Sequence, residues 1–210
     1  MLKKISRLIY ILFIYASISN FTLGQGLAIS SGATFTLGGS AVFSLSNNWS
    51  NAGTFTPSSS TVDFTGTAGN NQTITNTNGE TFYNLTVSKS TAVVQIMNNM
   101  SVTNQLTISG GDLDLNGKIL FLGTTGTLSE TAGNTVIGAS GTISADNTNL
   151  NAPSSYNMGQ LGAVITSSVN MGNTTIKRGN YALSGAGGSV SIKRYYDIAP
   201  TINTGLNATF

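Results

Sequence analysis

Short stretches in which apolar and polar residues alternate recur from residue 27 to the end of the chain, separated by Gly, Asn and Ser. Most stretches are three to six residues long, and a turn signal comes about every ten residues. A period of two is typical of β-strands, because successive side chains of a strand point to opposite faces. No segment keeps the repeat of about 3.6 residues that an amphipathic helix requires. The pattern therefore predicts a nearly all-β protein built from many short strands.

Two all-β architectures fit so many short strands: a parallel β-solenoid (β-helix-like) and an antiparallel β-sandwich throughout. Weak internal repeats favour the solenoid, since LAISSG at 27–32 resembles LTISGG at 106–111. Asn side chains at its corners could also stack from coil to coil. We predict a right-handed solenoid over residues 27–150, with about 20 residues per coil and on the order of five or six coils. The segments expected to stack in parallel, rather than as antiparallel hairpins, include TVDF (61–64), YNLTV (83–87) and LTIS (106–109).

The strand pattern lapses in the polar segment NTNLNAPSSYN, which contains Pro153, and longer alternating stretches resume after it. We therefore divide the chain into a solenoid repeat region, residues 25–152, and a β-sandwich-like module, residues 153–210. A sandwich usually has about seven strands, whereas roughly four or five fit here. We expect this module to be incomplete at Phe210, so that the chain is a fragment of a longer protein.

The first 24 residues have the features of a secretory signal peptide. Lys3, Lys4 and Arg7 precede a short apolar run, and small residues stand before Gln25. The run is too short for a stable membrane span, which needs roughly 20 apolar residues. Removal of residues 1–24 leaves six basic and seven acidic residues, a net charge of −1, so charge does not argue for nucleic-acid binding. We predict an extracellular or outer-cell-surface location.

The alternation also predicts which side chains point into the core. One strand, KILFL, is apolar on both faces, because Ile119 and Phe121 oppose Leu120 and Leu122. We expect it to be covered on both sides, by the core and by something outside it. The remaining side chains predicted to point inward are Tyr83, Leu85, Val87, Leu106, Ile108, Leu113 and Leu115.

Two long segments resemble a known group of proteins. VDFTGTAGNNQTITNTNGETFYNLTVSKS, followed by MSVTNQLTISGGDLDLNGKILFLG, looks like the repeat region of large secreted, surface-displayed proteins of Bacteroidota that use type IX secretion. GAVITSSVNMGNTTIKRGNYALSG, continuing into SIKRYYDIAPTINTGLNATF, resembles the β-sandwich segment that follows such repeats. The resemblance covers most of residues 40–210. It implies a compartment and an N-terminal fragment of a larger protein, and it implies no activity.

The chain has no His and no Cys, which excludes Ser-His-Asp and Cys-His catalytic sites and zinc sites built on nitrogen or sulfur ligands. Carboxylate, hydroxyl and Lys chemistry remain. The best cluster is Asp112, Asp114 and Lys118 in DLDLNGK, where the two Asp share one face of a strand. They could bind calcium, or hold an anionic sugar through it, and Lys118 could act as the base of a polysaccharide lyase.

The simpler interpretation is that Leu113 and Leu115 point inward and both Asp face water. A calcium site needs about six or more oxygens, and few other acids are close in sequence. We therefore predict no catalytic, metal or cofactor site, with calcium as the one weak cofactor candidate.

Three other patterns were considered as sites. Asp63, Glu80, Glu130 and Asp146 could be paired by coil stacking, as a glycosidase requires, but nothing in the sequence selects a pair. Repeated Thr-x-Thr could form a flat face that binds ice or a crystalline glycan, although Thr is also common on any solvated β face. A basic and aromatic cluster could contact a sugar or phosphate, although an Arg packed along its stem and paired with a carboxylate is the simpler interpretation. The Thr residues are Thr34, Thr36, Thr54, Thr56, Thr65, Thr67 and Thr73 to Thr77, and the cluster is Lys177, Arg178, Lys193, Arg194, Tyr195, Tyr196 and Asp197.

Two functional hypotheses follow. The first is a non-enzymatic secreted or cell-surface protein with a structural or adhesive role, in which a solenoid stalk displays a β module to extracellular glycans or surface proteins. The second is a carbohydrate-binding or polysaccharide-lyase-like β-helix that uses Asp112, Asp114 and Lys118. Calcium-dependent release of unsaturated product from a polyuronide would favour the second.

Overall fold

A computed structural model describes residues 20–23, 26–66, 69–184 and 191–210. The regular secondary structure of these residues is nearly all β-strand, as predicted, and the one exception is a short 3₁₀ helix at Met158–Gln160. The strands are β1 Asn20–Leu23, β2 Leu27–Ile29, β3 Thr34–Thr36, β4 Val42–Leu45, β5 Trp49–Asn51, β6 Thr54–Thr56, β7 Thr61–Phe64, β8 Gln72–Asn76, β9 Glu80–Ile96, β10 Met100–Asp114, β11 Ile119–Gly123, β12 Thr127–Glu130, β13 Val136–Ile137, β14 Thr142–Asn147, β15 Tyr156–Asn157, β16 Val164–Ser167, β17 Thr174–Gly179, β18 Tyr195–Pro200 and β19 Ala208–Thr209.

Parallel pairing between successive coils builds a β-solenoid of about five turns. β7 pairs in parallel with the middle of β9, which pairs in parallel with the middle of β10. The segments TVDF, YNLTV and LTIS are therefore stacked parallel strands, and the solenoid prediction is confirmed over the antiparallel sandwich. Partners such as Thr34 and Thr54, or Met100 and Leu120, show the predicted repeat of about 20 residues. The right-handed sense of the coil stays a prediction.

Each full turn contributes strand segments to three faces. β4, β7 and β12 lie on the first face, β5, β8 and β13 on the second, and β6, β11 and β14 on the third. β9 and β10 are long because each runs across all three faces, bending at corners where the register shifts. The inward side chains of the three faces meet in one hydrophobic core.

Columns of like side chains fill this core because the coils stack in register. On the first face, Phe43, Val62, Leu85, Leu106 and Leu128 occupy successive rungs of one column. Each of them is at most 5% exposed. Full burial of one such side chain contributes about 1.5–3 kcal/mol. The columns therefore hold together a chain that has no disulfide.

Most of the predicted inward residues are buried. Leu85, Val87, Leu106, Ile108, Leu113 and Leu115 all have at most 1% of their surface exposed. The prediction for Tyr83 is wrong: Phe82 is fully buried, whereas Tyr83 is half-buried. The alternation breaks at a corner of the coil between Phe82 and Leu85, and a uniform period of two does not anticipate such a break.

The two-sided apolar strand, β11, is covered on only one side. Leu120 and Leu122 point into the core, as expected of one face. The expected outer cover is absent over Phe121, which is 38% exposed. The strands β14, β17 and β18 extend its sheet sideways by pairing edge to edge.

Asn side chains link the coils at the corners, as the solenoid interpretation predicted. Asn104 donates to Asn84 Oδ1 at 2.7 Å, and Asn84 donates in turn to Thr61 at 3.2 Å on the preceding coil. Asn99 Oδ1 accepts from the backbone N–H of Ile119, one coil onward, at 2.9 Å. Such bonds satisfy corner backbone groups that leave the strand ladder.

The N-terminal end of the described chain begins inside the predicted signal peptide. Asn20–Leu23 form β1, which pairs in parallel with β4. The half-buried side chain of Leu23 packs against the core. Cleavage after Gly24 would remove this strand. The rest of the predicted signal sequence, residues 1–19 and 24, lies outside the described residues.

After the last coil the pairing changes from parallel to antiparallel. β17 pairs antiparallel with β14, and β18 pairs antiparallel with β17, so the third face continues without a gap. β15, β16 and β19 form a separate small antiparallel sheet. The change of pairing falls close to the predicted boundary at residue 153, and the division into two domains stays a prediction.

The segment around the 3₁₀ helix closes the core at this end. Met158 and Leu161 are at most 1% exposed and belong to the same hydrophobic cluster as the coils. Gly159 lies so close to Ala145 of β14 that a Cβ atom there would stand 2.7 Å from the Ala145 Cβ. The last coil is therefore covered by the chain that follows it.

Candidate functional site

Of the predicted cluster, Asp112 and Asp114 lie on the outer side of the second face, and Lys118 lies in the turn that follows it. Both carboxylates bind neighbouring coils: Asp112 Oδ1 accepts from the Thr135 backbone N–H and Asp114 Oδ2 from the Gln95 amide, each at 2.8 Å. Asp114 Oδ1 also accepts from the backbone N–H of Asn116 in the turn. These bonds occupy three of the four carboxylate oxygens.

Lys118 ends the turn that begins at Leu115, whose carbonyl accepts its backbone N–H at 2.8 Å. Its ammonium group has no hydrogen-bond or ion-pair partner among the described residues. Within the part of the chain that the structure describes, no three acidic side chains converge as a metal-binding group. The two carboxylates join coils, and Lys118 forms no ion pair with either of them.

The four scattered carboxylates each bind partners of their own. Glu80 is buried and accepts hydrogen bonds from Trp49 Nε1 at 2.7 Å, Asn51 Nδ2 at 2.9 Å and Asn76 Nδ2 at 3.2 Å. Asn51 and Asn76 are neighbours on successive coils. Glu80 thus ties two successive coils together from inside the corner.

Asp63 and Lys89 are two further ionisable groups near the first face. Burial raises the pKa of Asp63, while the Ser88 hydroxyl, which donates at 2.7 Å, partly offsets the rise. Burial lowers the pKa of Lys89, whose Nζ donates to Gln72 Oε1 at 2.6 Å. The Gln72 amide in turn donates to the carbonyls of Leu45 and Asn47 on the preceding coil. These contacts are internal links between coils.

Glu130 forms a bidentate ion pair with Arg178 that joins the last coil to β17. Arg178 donates to both Glu130 oxygens, at 2.6 and 3.0 Å, and its side chain is 2% exposed. Burial by itself raises the pKa of Glu130, but hydrogen bonds from Arg178, Thr135 and Val136 and the charge of Arg178 outweigh it and lower the pKa below its ordinary value. The pair agrees with the simpler interpretation of the basic and aromatic cluster, an Arg packed along its stem and paired with a carboxylate.

Two other members of the basic and aromatic cluster, Arg194 and Tyr196, lie beside Arg178. Arg194 is 3.8 Å from Glu130, and its side chain is 46% exposed. Tyr196 points inward and donates to the Leu161 carbonyl at 2.9 Å. Tyr195 contacts Tyr181 through their hydroxyls at 2.7 Å, and burial together with this hydrogen bond raises its pKa to about 12.

Only part of the Thr-x-Thr pattern forms an array. Thr34 pairs with Thr54, and Thr36 with Thr56, so four exposed hydroxyls make a two-by-two patch on β3 and β6. Thr73, by contrast, belongs to β8 on the second face, and Thr67 lies outside the described residues. An extended flat Thr face is therefore not assembled by the described strands.

A groove lies on the outer side of the third face, where β11, β14, β17 and β18 are adjacent. Its volume is about 370 Å³. Lys177 on β17 is directly opposite Ser144 on β14 and Asp197 on β18. On its other side Ser144 is paired with Phe121. The lining residues are Phe121, Ser144, Asp146, Thr175, Lys177, Asp197 and Ala199.

Several polar atoms of the groove are unused by the protein. Thr175 donates to Asp146 Oδ1 at 2.6 Å, which leaves the second oxygen of Asp146 without a protein donor in the described chain. Lys177 and Asp197 have no side-chain hydrogen-bond or ion-pair partner among the described residues, although they are neighbours on adjacent strands. Two carboxylates and one ammonium give the groove a net charge of −1.

From the sequence, Lys177 and Asp197 belong to the basic and aromatic cluster, whereas Asp146 belongs to the scattered carboxylates. The sequence did not identify Ser144, Thr175 and Ala199 as their neighbours. The outward apolar side of KILFL marks Phe121 in the sequence, but the cover predicted for it is absent among the described residues.

No helix among the described residues is long and apolar enough to cross a membrane. No protein family model matches the chain, no curated protein matches it, and no solved structure matches it.

Proposed function

We propose that the chain is a non-enzymatic secreted or cell-surface protein, in which the solenoid acts as a stalk and the antiparallel strands after it form a displayed surface. The observation that carries the proposal is the column of inward side chains, which runs from coil to coil without interruption. In such a stack each coil contacts only its neighbours, and the rod lengthens by repeating one unit. This suits a stalk.

The use of the acidic residues supports the structural role. Glu80, Asp112, Asp114 and Glu130 bind groups on neighbouring coils or strands. A catalytic carboxylate pair needs two groups that flank a substrate, about 5–10 Å apart. Carboxylates that bind the protein's own coils are better suited to hold the rod together.

The resemblance to surface-displayed repeat proteins adds the compartment to this proposal, and extracellular glycans or surface proteins are its partners. The test is the location of the full chain in a bacterial host that exports it. Protease added to intact cells should degrade the chain while a cytoplasmic marker protein survives. Protection equal to that of the cytoplasmic marker, with no protein in the medium, would contradict the proposal.

A further inference from the structure

The groove on β11, β14, β17 and β18 combines an exposed ring with unused polar atoms on a rigid sheet. Phe121 is 38% exposed, although its strand neighbours Leu120 and Leu122 are buried. Part of the ring is therefore accessible to solvent beside Ser144. An aromatic ring in this position can stack on the apolar side of a flat ligand.

The polar atoms of the groove include both donors and acceptors. Lys177 supplies an ammonium group with three N–H donors, and Asp197 supplies carboxylate oxygens. The free oxygen of Asp146, which lies two residues after Ser144 on β14, adds a further acceptor. All of these side chains stand on paired strands, so their spacing is held by the backbone ladder.

The chemistry favours one ligand class. A pyranose ring has an apolar face and a rim of hydroxyls that both donate and accept, which matches one aromatic ring beside mixed polar groups. A phosphate or a polyuronide would meet a net charge of −1, and a purely apolar ligand would desolvate three charged side chains without compensation. Four strands about 4.8 Å apart span roughly 14 Å, so the groove accepts a short stretch of a chain molecule.

We propose that this groove binds a neutral polysaccharide, with Phe121 stacking on a sugar ring and Lys177, Asp197 and Asp146 binding its hydroxyls. The site is distinct from Asp112, Asp114 and Lys118. The inference gives the proposed display protein a partner, but binding at the groove does not depend on where the chain is located.

The test is native affinity electrophoresis of the full chain in gels that contain soluble neutral glucan, mannan or xylan, with alginate and polygalacturonate gels alongside. At least one neutral polysaccharide should retard the protein. Phe121→Ala should weaken that retardation by about tenfold or more, since loss of roughly 1.4 kcal/mol of stacking is a factor of ten. Lys177→Met is the second groove variant, and it should also weaken binding.

Tyr156→Ala is the matched control, because Tyr156 is equally exposed, at 38%, but lies on β15 outside the groove. Its binding should stay within about twofold of the unmodified chain. The proposal is overturned if no neutral polysaccharide retards the protein, if only the polyuronides do, or if the two groove variants bind as the control does. Surface exposure on intact cells is measured separately, so failure of this proposal and failure of the proposed function are distinguishable.

Discussion

Replacing Arg178 with Met should destabilise the junction between the last coil and β17 more than any change to an exposed charge. Arg178→Met keeps an unbranched side chain of similar reach but removes both hydrogen bonds to Glu130. It also leaves the Leu161 carbonyl without the donor that now lies 3.3 Å away. Glu130 remains, with its side chain only 17% exposed, as a carboxylate without its main partner.

The expected loss can be estimated from the burial of the pair. Breaking a buried ion pair by removing one partner costs roughly 3–5 kcal/mol. Because Glu130 keeps some contact with solvent, and keeps its bonds to Thr135 and Val136, the lower end applies, about 3 kcal/mol. For a chain of this size each kcal/mol lowers Tm by about 2–4 °C, so Tm should fall by roughly 6–12 °C.

The pH dependence separates the ion pair from a simple loss of packing. The pKa of Glu130 in the folded protein lies below its ordinary value of 4.5. The pair therefore contributes its full stabilisation above pH 4.5, and that contribution is lost as pH falls through the lower folded pKa. The difference in Tm between the unmodified chain and Arg178→Met should shrink as the pH falls below 4.5.

Thermal unfolding followed by circular dichroism at pH 7 and at acidic pH measures both effects. Arg194→Met is the matched control, because Arg194 also lies near Glu130, at 3.8 Å, but its side chain is 46% exposed. An exposed pair contributes about 0–1 kcal/mol, so its Tm should change by less than about 4 °C. Equal Tm values for the two variants, or a difference that does not change with pH, would refute this account of the junction.

Three further predictions concern the coils. Leu106→Ala should lower the free energy of unfolding by about 2–5 kcal/mol in urea, since Leu106 is fully buried in the middle of a core column; a loss below about 1 kcal/mol would contradict that packing. Gly53→Ala should destabilise the chain measurably by thermal unfolding, because its Cβ would lie 2.5 Å from the Ser30 carbonyl oxygen; an unchanged Tm would contradict so close an approach of the coils. Mass spectrometry of the exported protein should show a mature chain that begins at Gln25, and retention of Asn20, which would keep the pairing of β1 with β4, would contradict the predicted cleavage.

The periodicity of the sequence was enough to predict the strands and their stacking, because an inward position such as Leu106 or Leu113 depends only on local alternation and on the repeat of the coil. It failed at Tyr83 because a corner breaks the alternation there. The groove depends on antiparallel pairing between β14 and β17, which lie far apart in sequence. No local pattern specifies such a register, so Ser144 and Asp146 could not be placed beside Lys177 and Asp197 from sequence alone.

The partners of Glu80, and the identity of Glu130 as the carboxylate paired with Arg178, could not be predicted for a related reason. A carboxylate in a strand pattern is expected to face water, and its burial becomes acceptable only when donors from other coils reach it. Trp49 supplies such a donor to Glu80 and Arg178 to Glu130, from residues remote in sequence. Long-range partners of this kind leave no periodic signal.

The parallel stack is the central claim, and cysteine cross-linking tests it most directly, because the chain has no Cys of its own. Thr81 and Ser101 are direct partners on adjacent coils of the third face. Their Cβ atoms should be about 5 Å apart, so Thr81→Cys with Ser101→Cys should be joined by a short thiol-to-thiol reagent. Thr34→Cys with Ser101→Cys, on the same face but about three coils apart or roughly 14 Å, should not be joined. Efficient linkage of the adjacent pair alone is the predicted result, and linkage of the distant pair without the adjacent one would contradict the solenoid.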